Sequence, residues 1–153
     1  MLVIGGGGAA LRAAIACRET AADVLVVSKT RVGFGNNTYL SKASWAVPGL
    51  GDPEDNHRVH VRDTLLGGCF LNDERMVERV ARGAGRLIPF MEKCGVRFAT
   101  KDGRMVFEHA PGHTYPRHVR GENRTGRDLM LPIKEYAKRI GVRFLDRVFV
   151  TGL

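Results

Sequence analysis

Six small residues stand together near the start of the chain: Gly5-Gly6-Gly7-Gly8-Ala9-Ala10. Gly5, Gly7 and Ala10 satisfy the spacing G-x-G-x-x-G/A. In that pattern the first glycine turns the chain, the second admits a pyrophosphate against the backbone, and the small third residue lets a helix pack on a strand. The chemistry this allows is dinucleotide recognition, because a helix starting here aims unpaired N–H groups and the positive end of its dipole at phosphate oxygens. A plain structural glycine turn is the competing reading. Simple sites of this kind also place an Asp or Glu at the end of the second strand, to hold ribose hydroxyls. Here Ser28-Lys29-Thr30 stands instead. Two readings stay open on the residues alone: Lys29 meets a 2′-phosphate, which favours NADP, or Ser28 and the backbone hold the ribose while Lys29 lies beside adenine.

The elements around these residues decide between a nucleotide turn and an ordinary one. Leu2-Val3-Ile4 reads as a strand, Leu11 to about Glu19 as an alanine-rich helix, and Asp23-Val24-Leu25-Val26-Val27 as a strand buried on both faces. The unit is therefore β-α-β, the context the motif requires. The loop Arg31–Ser44 is rich in glycine and asparagine, and Pro48 to Pro53 marks a surface loop. His57–Leu66 reads as a short helix ended by Gly67-Gly68, with His57 and His60 on one face as a solvated pair, since zinc needs at least three protein ligands.

Asn72 or Asp73 caps a further helix, in which Met76, Val77, Val80, Ala84, Leu87 and Ile88 recur at helical spacing and are expected in the core. Pro89 is expected to kink it, and Gly95 to end it. Val96–Thr100 and Arg104–Phe107 flank Asp102-Gly103, a hairpin turn signal. The polar loop Glu108–His118 holds three histidines, but no G-x-S-x-G or H-E-x-x-H occurs to support a triad or a metal site. A helix is expected over about 127–140, with Leu129, Ile133, Tyr136 and Ala137 inward and an irregular start at Pro132. A β segment follows over Val142–Val150, and the chain is expected to stop mid-fold.

Composition is that of a soluble globular protein, at 153 residues with 44% hydrophobic and 26% charged content. The net charge of +8 comes from scattered basic residues with no run of five, so the footprint of a nucleic-acid binder is missing. Cys17, Cys69 and Cys94 are odd in number and far apart, and read as buried thiols in a reducing compartment rather than a disulfide framework. No secretory leader or apolar span of 18 residues is seen, so membrane insertion is not indicated and the cytoplasm is the default expectation.

Several separate stretches together resemble the flavoprotein subunits of succinate dehydrogenase and fumarate reductase, with L-aspartate oxidase as a relative. They are Val3–Ala14, Val27-Ser28-Lys29, Asn37-Thr38, Asp63-Thr64, Gly67-Gly68, Leu71-Asn72-Asp73 and Arg124-Thr125-Gly126. The resemblance implies an α/β fold, the N-terminal portion of a Rossmann-like FAD-binding domain of the glutathione-reductase type. That portion is incomplete and carries a helical insertion and a small β-hairpin. It implies FAD over NADP, held by Gly5–Ala10 and Ser28-Lys29-Thr30, by the loop residues Asn36, Asn37, Thr38, Ser41, Ala43 and Ser44, and by backbone at Val148 and Phe149 near adenine.

Some members of that family join FAD covalently to a histidine directly before the threonine. Asn37 occupies that place here, and an amide is too poor a nucleophile, so the resemblance implies non-covalent FAD. Ala43-Ser44-Trp45 replaces the family's Gly-Gly, and Trp45 is expected to pack in the core rather than cover the ring. The resemblance further implies hydride transfer through flavin N5 to or from a dicarboxylate or amino acid. It also implies a partner that carries electrons, such as an iron-sulfur subunit, with peripheral placement at the inner face of a membrane. No catalytic residue falls in this chain, since the family's substrate clamps lie further along. An NADP-dependent dehydrogenase and a non-catalytic nucleotide-binding or interaction module are the alternatives.

Overall fold

Leu25-Val26-Val27-Ser28 is apolar enough to be covered on both faces and short enough to be gripped along both edges. In the computed structural model of the protein, which describes residues 1–152, it forms β2 (Leu25–Ser28). On either side run parallel β1 (Leu2–Ile4) and β7 (Arg143–Asp146), in the order β1-β2-β7. The register pairs Val3 with Val26 and Val26 with Phe144. Val26, Val27 and Ser28 are all buried.

Helix α1 (Gly8–Glu19) links β1 to β2 and buries Leu11, Ala14 and Ile15, one face of a helical repeat. It packs on α6 (Arg127–Arg139), whose inward face carries Leu129, Met130, Ile133, Tyr136 and Ala137. Pro132 lies inside α6, one turn past its start, without interrupting it. Arg18 ties the helix ends together, donating from Nε to the Ile140 carbonyl (2.8 Å) and from Nη1 to the Ala22 carbonyl (3.0 Å). The short helix α2 (Asn37–Leu40) is capped by Asn36, whose Oδ1 accepts from the Tyr39 N–H. A Cβ on Gly126 would lie 1.9 Å from the Thr38 carbonyl oxygen, so only glycine lets α6 start against α2. These elements form one compact unit, made of Met1–Ala43, Met91–Arg97 and the stretch from Asn123 onward.

The second unit comprises Ser44–Phe90 and Phe98–Glu122. In it β3 (Ser44–Ala46) pairs antiparallel with β6 (His118–Arg120), Trp45 opposite Val119. Trp45 is half-buried against Phe98, ring centroids 5.4 Å apart. Helices α3 (His57–Gly67) and α4 (Glu74–Gly83) pack together, capped by Asn56 and Asp73 respectively. Asp102 and Gly103, both at positive φ, turn β4 (Thr100–Lys101) into β5 (Arg104–Met105). That ladder is only two residues long on each side, shorter than the flanking sequence suggests.

Four expectations need correction. The β segment over 142–150 is cut to β7, because Arg147 adopts a left-handed φ of 59° and turns the chain out of the sheet. The helix expected to kink at Pro89 breaks earlier, into a 3₁₀ turn (Ala84–Arg86) followed by α5 (Leu87–Cys94). Pro89 thereby falls in the first turn of α5, where its missing donor costs nothing. The apolar repeat expected in the core is only partly buried: Ala84 and Ile88 are buried, whereas Met76, Val80 and Leu87 are 57%, 60% and 36% exposed. Within α4 itself the buried residue is Ala81, and the larger Met76 and Val80 fall to the exposed flank. Finally, Cys94 is buried and Cys17 half-buried, but Cys69 is exposed, in the reversal after α3.

Candidate functional site

The turn between β1 and α1 is built as the glycine pattern requires. Gly5 has φ of 127°, a conformation side chains rarely adopt, and its N–H donates to the Val27 carbonyl at 2.8 Å. A Cβ on Gly6 would lie 2.6 Å from Ser28 Oγ and 3.3 Å from the Val32 Cα, so here too the backbone must be bare. Gly6's carbonyl in turn accepts from the Gly33 N–H and from Asn36 Nδ2. At the third motif position, the Ala10 Cβ lies 3.5 Å from where a Cβ on Gly5 would sit, so the two small residues face one another across the turn.

Helix α1 opens with Gly7 as N-cap, without a side-chain cap and without an acidic residue in its first turn. That arrangement leaves the positive end of the helix suited to an anion. The Gly8 N–H donates to Thr38 Oγ1 at 3.3 Å, fixing the following loop beside the helix start.

A cleft of about 230 Å³ opens at the C-terminal ends of β1 and β2. It gathers Gly5 and Gly6, Ser28-Lys29-Thr30, Asn36 and the backbone around Val148 and Phe149. Ser28 is buried, Lys29 and Thr30 exposed, and the Val148 N–H donates to the Ser28 carbonyl at 3.0 Å. The chain leaving β7 therefore closes one wall of the cleft although it is no longer strand. Asp146, at the end of β7, accepts from the Val32 N–H at 2.8 Å and holds the loop after β2 in place.

The remaining candidates are placed differently. Gly7, Gly8, Ala9 and Ala10 form the start of α1 rather than the lining of the cleft. Asn37 is the first residue of α2 and exposed, Thr38 faces Gly8, and Ser41 caps the end of α2 by donating to the Thr38 carbonyl at 2.8 Å. Ala43 is buried at φ of 48°. Ser44 belongs to the second unit, where its Oγ contacts His118 Nδ1 at 3.0 Å. The motif reading leaves out Ile4, Val27, Gly35 and Val150, which also line the cleft. Ile4 and Val27 end the two strands, a place the motif itself marks, whereas no local pattern singles out Val150.

The second unit holds a polar cluster that its sequence does not advertise. Arg117 is fully buried and bonds Asp55 through Nε (3.1 Å) and Nη2 (2.7 Å), and Asp63 through Nη1 (2.8 Å). The same Nη1 lies 3.1 Å from His60 Nδ1, and His60 stacks on His113, whose Nε2 is 3.0 Å from His118 Nε2. His60 is thus buried against a guanidinium, which corrects the expectation of a solvated pair with His57. Burial first, then the neighbouring Arg117 charge, pushes the His60 pKa down to about 4. His113 and His118 are lowered too, chiefly by burial. Burial works to raise the Asp63 carboxyl, but hydrogen bonds from Thr114 and Arg117 outweigh it and leave it below the usual carboxylate range. The neutral histidines and two carboxylates around one arginine form a satisfied structural network. Among the described residues, no group of three or more His, Cys, Asp or Glu is placed to hold a metal.

Comparison with known proteins adds the family. The profile of the FAD binding domain family matches residues 1–153. One subunit of the fumarate reductase (CoM/CoB) of Methanothermobacter marburgensis is 32% identical, over all of this chain and 28% of its own length. L-aspartate oxidase of Pyrococcus horikoshii is 32% identical, over 94% of this chain and 29% of its own. Among solved structures, the Mycobacterium smegmatis Sdh1 complex superposes with a TM-score of 0.82 at 34% identity, over 94% of this chain and 26% of that one. A variant of E. coli quinol fumarate reductase shares the fold, with a TM-score of 0.86 at 21% identity, over 95% of this chain and 25% of that one. The chain thus spans under a third of the length of the curated relatives it matches.

Proposed function

This chain belongs to the FAD binding domain family, and from that premise we propose that it is the N-terminal, FAD-holding portion of a flavoprotein oxidoreductase. In this reading it belongs to a domain of the glutathione-reductase type, within an enzyme like succinate dehydrogenase, fumarate reductase or L-aspartate oxidase. The observation that carries the reading is the bare glycine turn at Gly5 and Gly6, opening on a cleft that Ser28-Lys29-Thr30 and the Val148–Val150 stretch complete.

The residues present fit the cofactor. The start of α1 offers a helix dipole with no competing carboxylate, suited to the diphosphate. Ser28 and the backbone of Lys29 and Thr30 take the role of the ribose-gripping acid, while Val148 and Phe149 supply backbone and apolar surface for adenine. Asn37 leaves no nucleophile for a covalent link. Bound flavin supplies a hydride acceptor and donor at N5, for a dicarboxylate or amino acid partner. This chain's own part is to bind and orient the nucleotide end, and an electron-transfer subunit is the partner proposed for the longer protein.

The test is a titration of the purified chain with FAD and, separately, with NADPH, followed by flavin fluorescence and by thermal unfolding. Saturable FAD binding that is retained through gel filtration but released on denaturation supports non-covalent flavin. Tight NADPH binding with no response to FAD would overturn the reading in favour of a nicotinamide site built on Lys29.

A further inference from the structure

Four arginines, Arg75, Arg79, Arg82 and Arg86, run along α4 and the 3₁₀ turn that continues it. Their spacing of four, three and four residues places them on one stripe about 16 Å long. All four are exposed, and together with Glu78 and Gly83 they line a hollow of about 540 Å³. Glu78 pairs with Arg82, and among the described residues no carboxylate forms an ion pair with Arg75, Arg79 or Arg86. The stripe therefore carries a concentrated positive charge that the fold itself does not neutralise.

Two further features point outward. Gly83 lines the same hollow at the edge of the stripe, between the arginines and Met76, where a Cβ would meet nothing within 4 Å and φ is not positive. Glycine weakens a helical segment relative to alanine, and no packing within the chain calls for it here. Bare backbone at this point lets another chain approach closely. Beside the stripe, Met76 and Val80 add exposed apolar surface on an adjoining face.

We propose that this stripe docks an acidic amphipathic helix of a partner protein, with carboxylates at i, i+4 and i+7 meeting the guanidinium groups and an apolar edge resting on Met76 and Val80. Arginine forks recognise carboxylates bidentately, and complementary charge sets orientation and encounter rate. A lipid surface fits less well. The face of α4 that a membrane-lying helix would immerse is already occupied by Ala81 and Ala84 in the protein interior. A nucleic acid would leave the apolar edge of Met76 and Val80 unused.

The experiment titrates the whole 153-residue chain against a fluorescent peptide helix bearing Glu at i, i+4 and i+7 with Leu on the adjoining face. Matched titrations use vesicles of phosphatidylserine and phosphatidylcholine and a short single-stranded DNA. The expected result is salt-sensitive peptide binding that Arg79→Glu with Arg86→Glu weakens about tenfold or more. The milder Arg79→Gln with Arg86→Gln should weaken it less, and circular dichroism should show both variants folded. Lys101→Glu with Arg104→Glu, which changes net charge equally but lies on the β4–β5 hairpin, should leave binding intact. Equal loss in that hairpin variant, absence of peptide binding, or stronger binding to vesicles or DNA through the same arginines would overturn the proposal.

Discussion

Arg117 shows how one buried side chain can govern a unit. Its guanidinium satisfies Asp55 and Asp63 together, and truncation would leave two buried carboxylates without their shared cation, held only by the Gly49 and Thr114 donors. Arg117→Ala should lower stability by about 3–5 kcal/mol in urea unfolding, and Arg117→Lys should recover only part of this, since a point charge cannot replace a fork. The histidines beside it set a pH dependence. His60 titrates near 4 when folded and near 6.5 when unfolded, so the unfolded chain binds more protons between these values. Stability is therefore full above about pH 6.5 and falls as pH drops toward 4, by on the order of 3 kcal/mol from this group. His113 and His118 add in the same direction. Melting temperatures across this range should show the loss in the native chain and a shallower slope in His60→Gln. None of this is legible along the sequence, because Arg117 meets partners 62 and 54 positions away that look like ordinary surface acids.

At the scale of elements, glycines divide into those that the fold demands and those it does not. Gly126→Ala would drive a methyl into the Thr38 carbonyl and should cost at least about 2 kcal/mol, whereas Gly67→Ala meets open space and should be neutral or stabilising by up to about 1 kcal/mol. Thermal unfolding of the two variants side by side reads the contrast. What the sequence makes legible follows the same line. The β1-α1-β2 unit and α6 are readable because their glycines, caps and apolar periods agree with one another. The end of β7 at Arg147 is not, because a non-glycine residue at positive φ gives no local signal, and neither is the 3₁₀ turn before α5, whose residues keep ordinary helical dihedrals. In α4, periodicity marks an apolar repeat but cannot tell the buried side at Ala81 from the flank left open at Met76 and Val80. For the cleft, the glycine turn and Ser28-Lys29-Thr30 are legible from the motif. Its far wall at Val150 depends on a turn after β7 that sequence does not announce.

At the scale of the molecule, ligand and stability are linked. If the cleft takes FAD, saturation at about a hundred times Kd adds about 2.7 kcal/mol to the folded state, which should raise the melting temperature by roughly 5–10 °C. Because the chain spans under a third of its curated relatives, the same FAD-loaded chain is predicted to give no succinate-dependent dye reduction. Steady turnover would show that substrate chemistry resides in these 153 residues after all. The measurement that bears most directly on the central claim is a ¹H–¹⁵N amide spectrum of the labelled chain recorded as FAD is added. The account predicts that the amides of Gly5–Ala10, Ser28–Thr30 and Val148–Val150 shift together, while those around Arg117 stay in place. Shifts confined to other regions, with the glycine amides unmoved at saturating FAD, would contradict it.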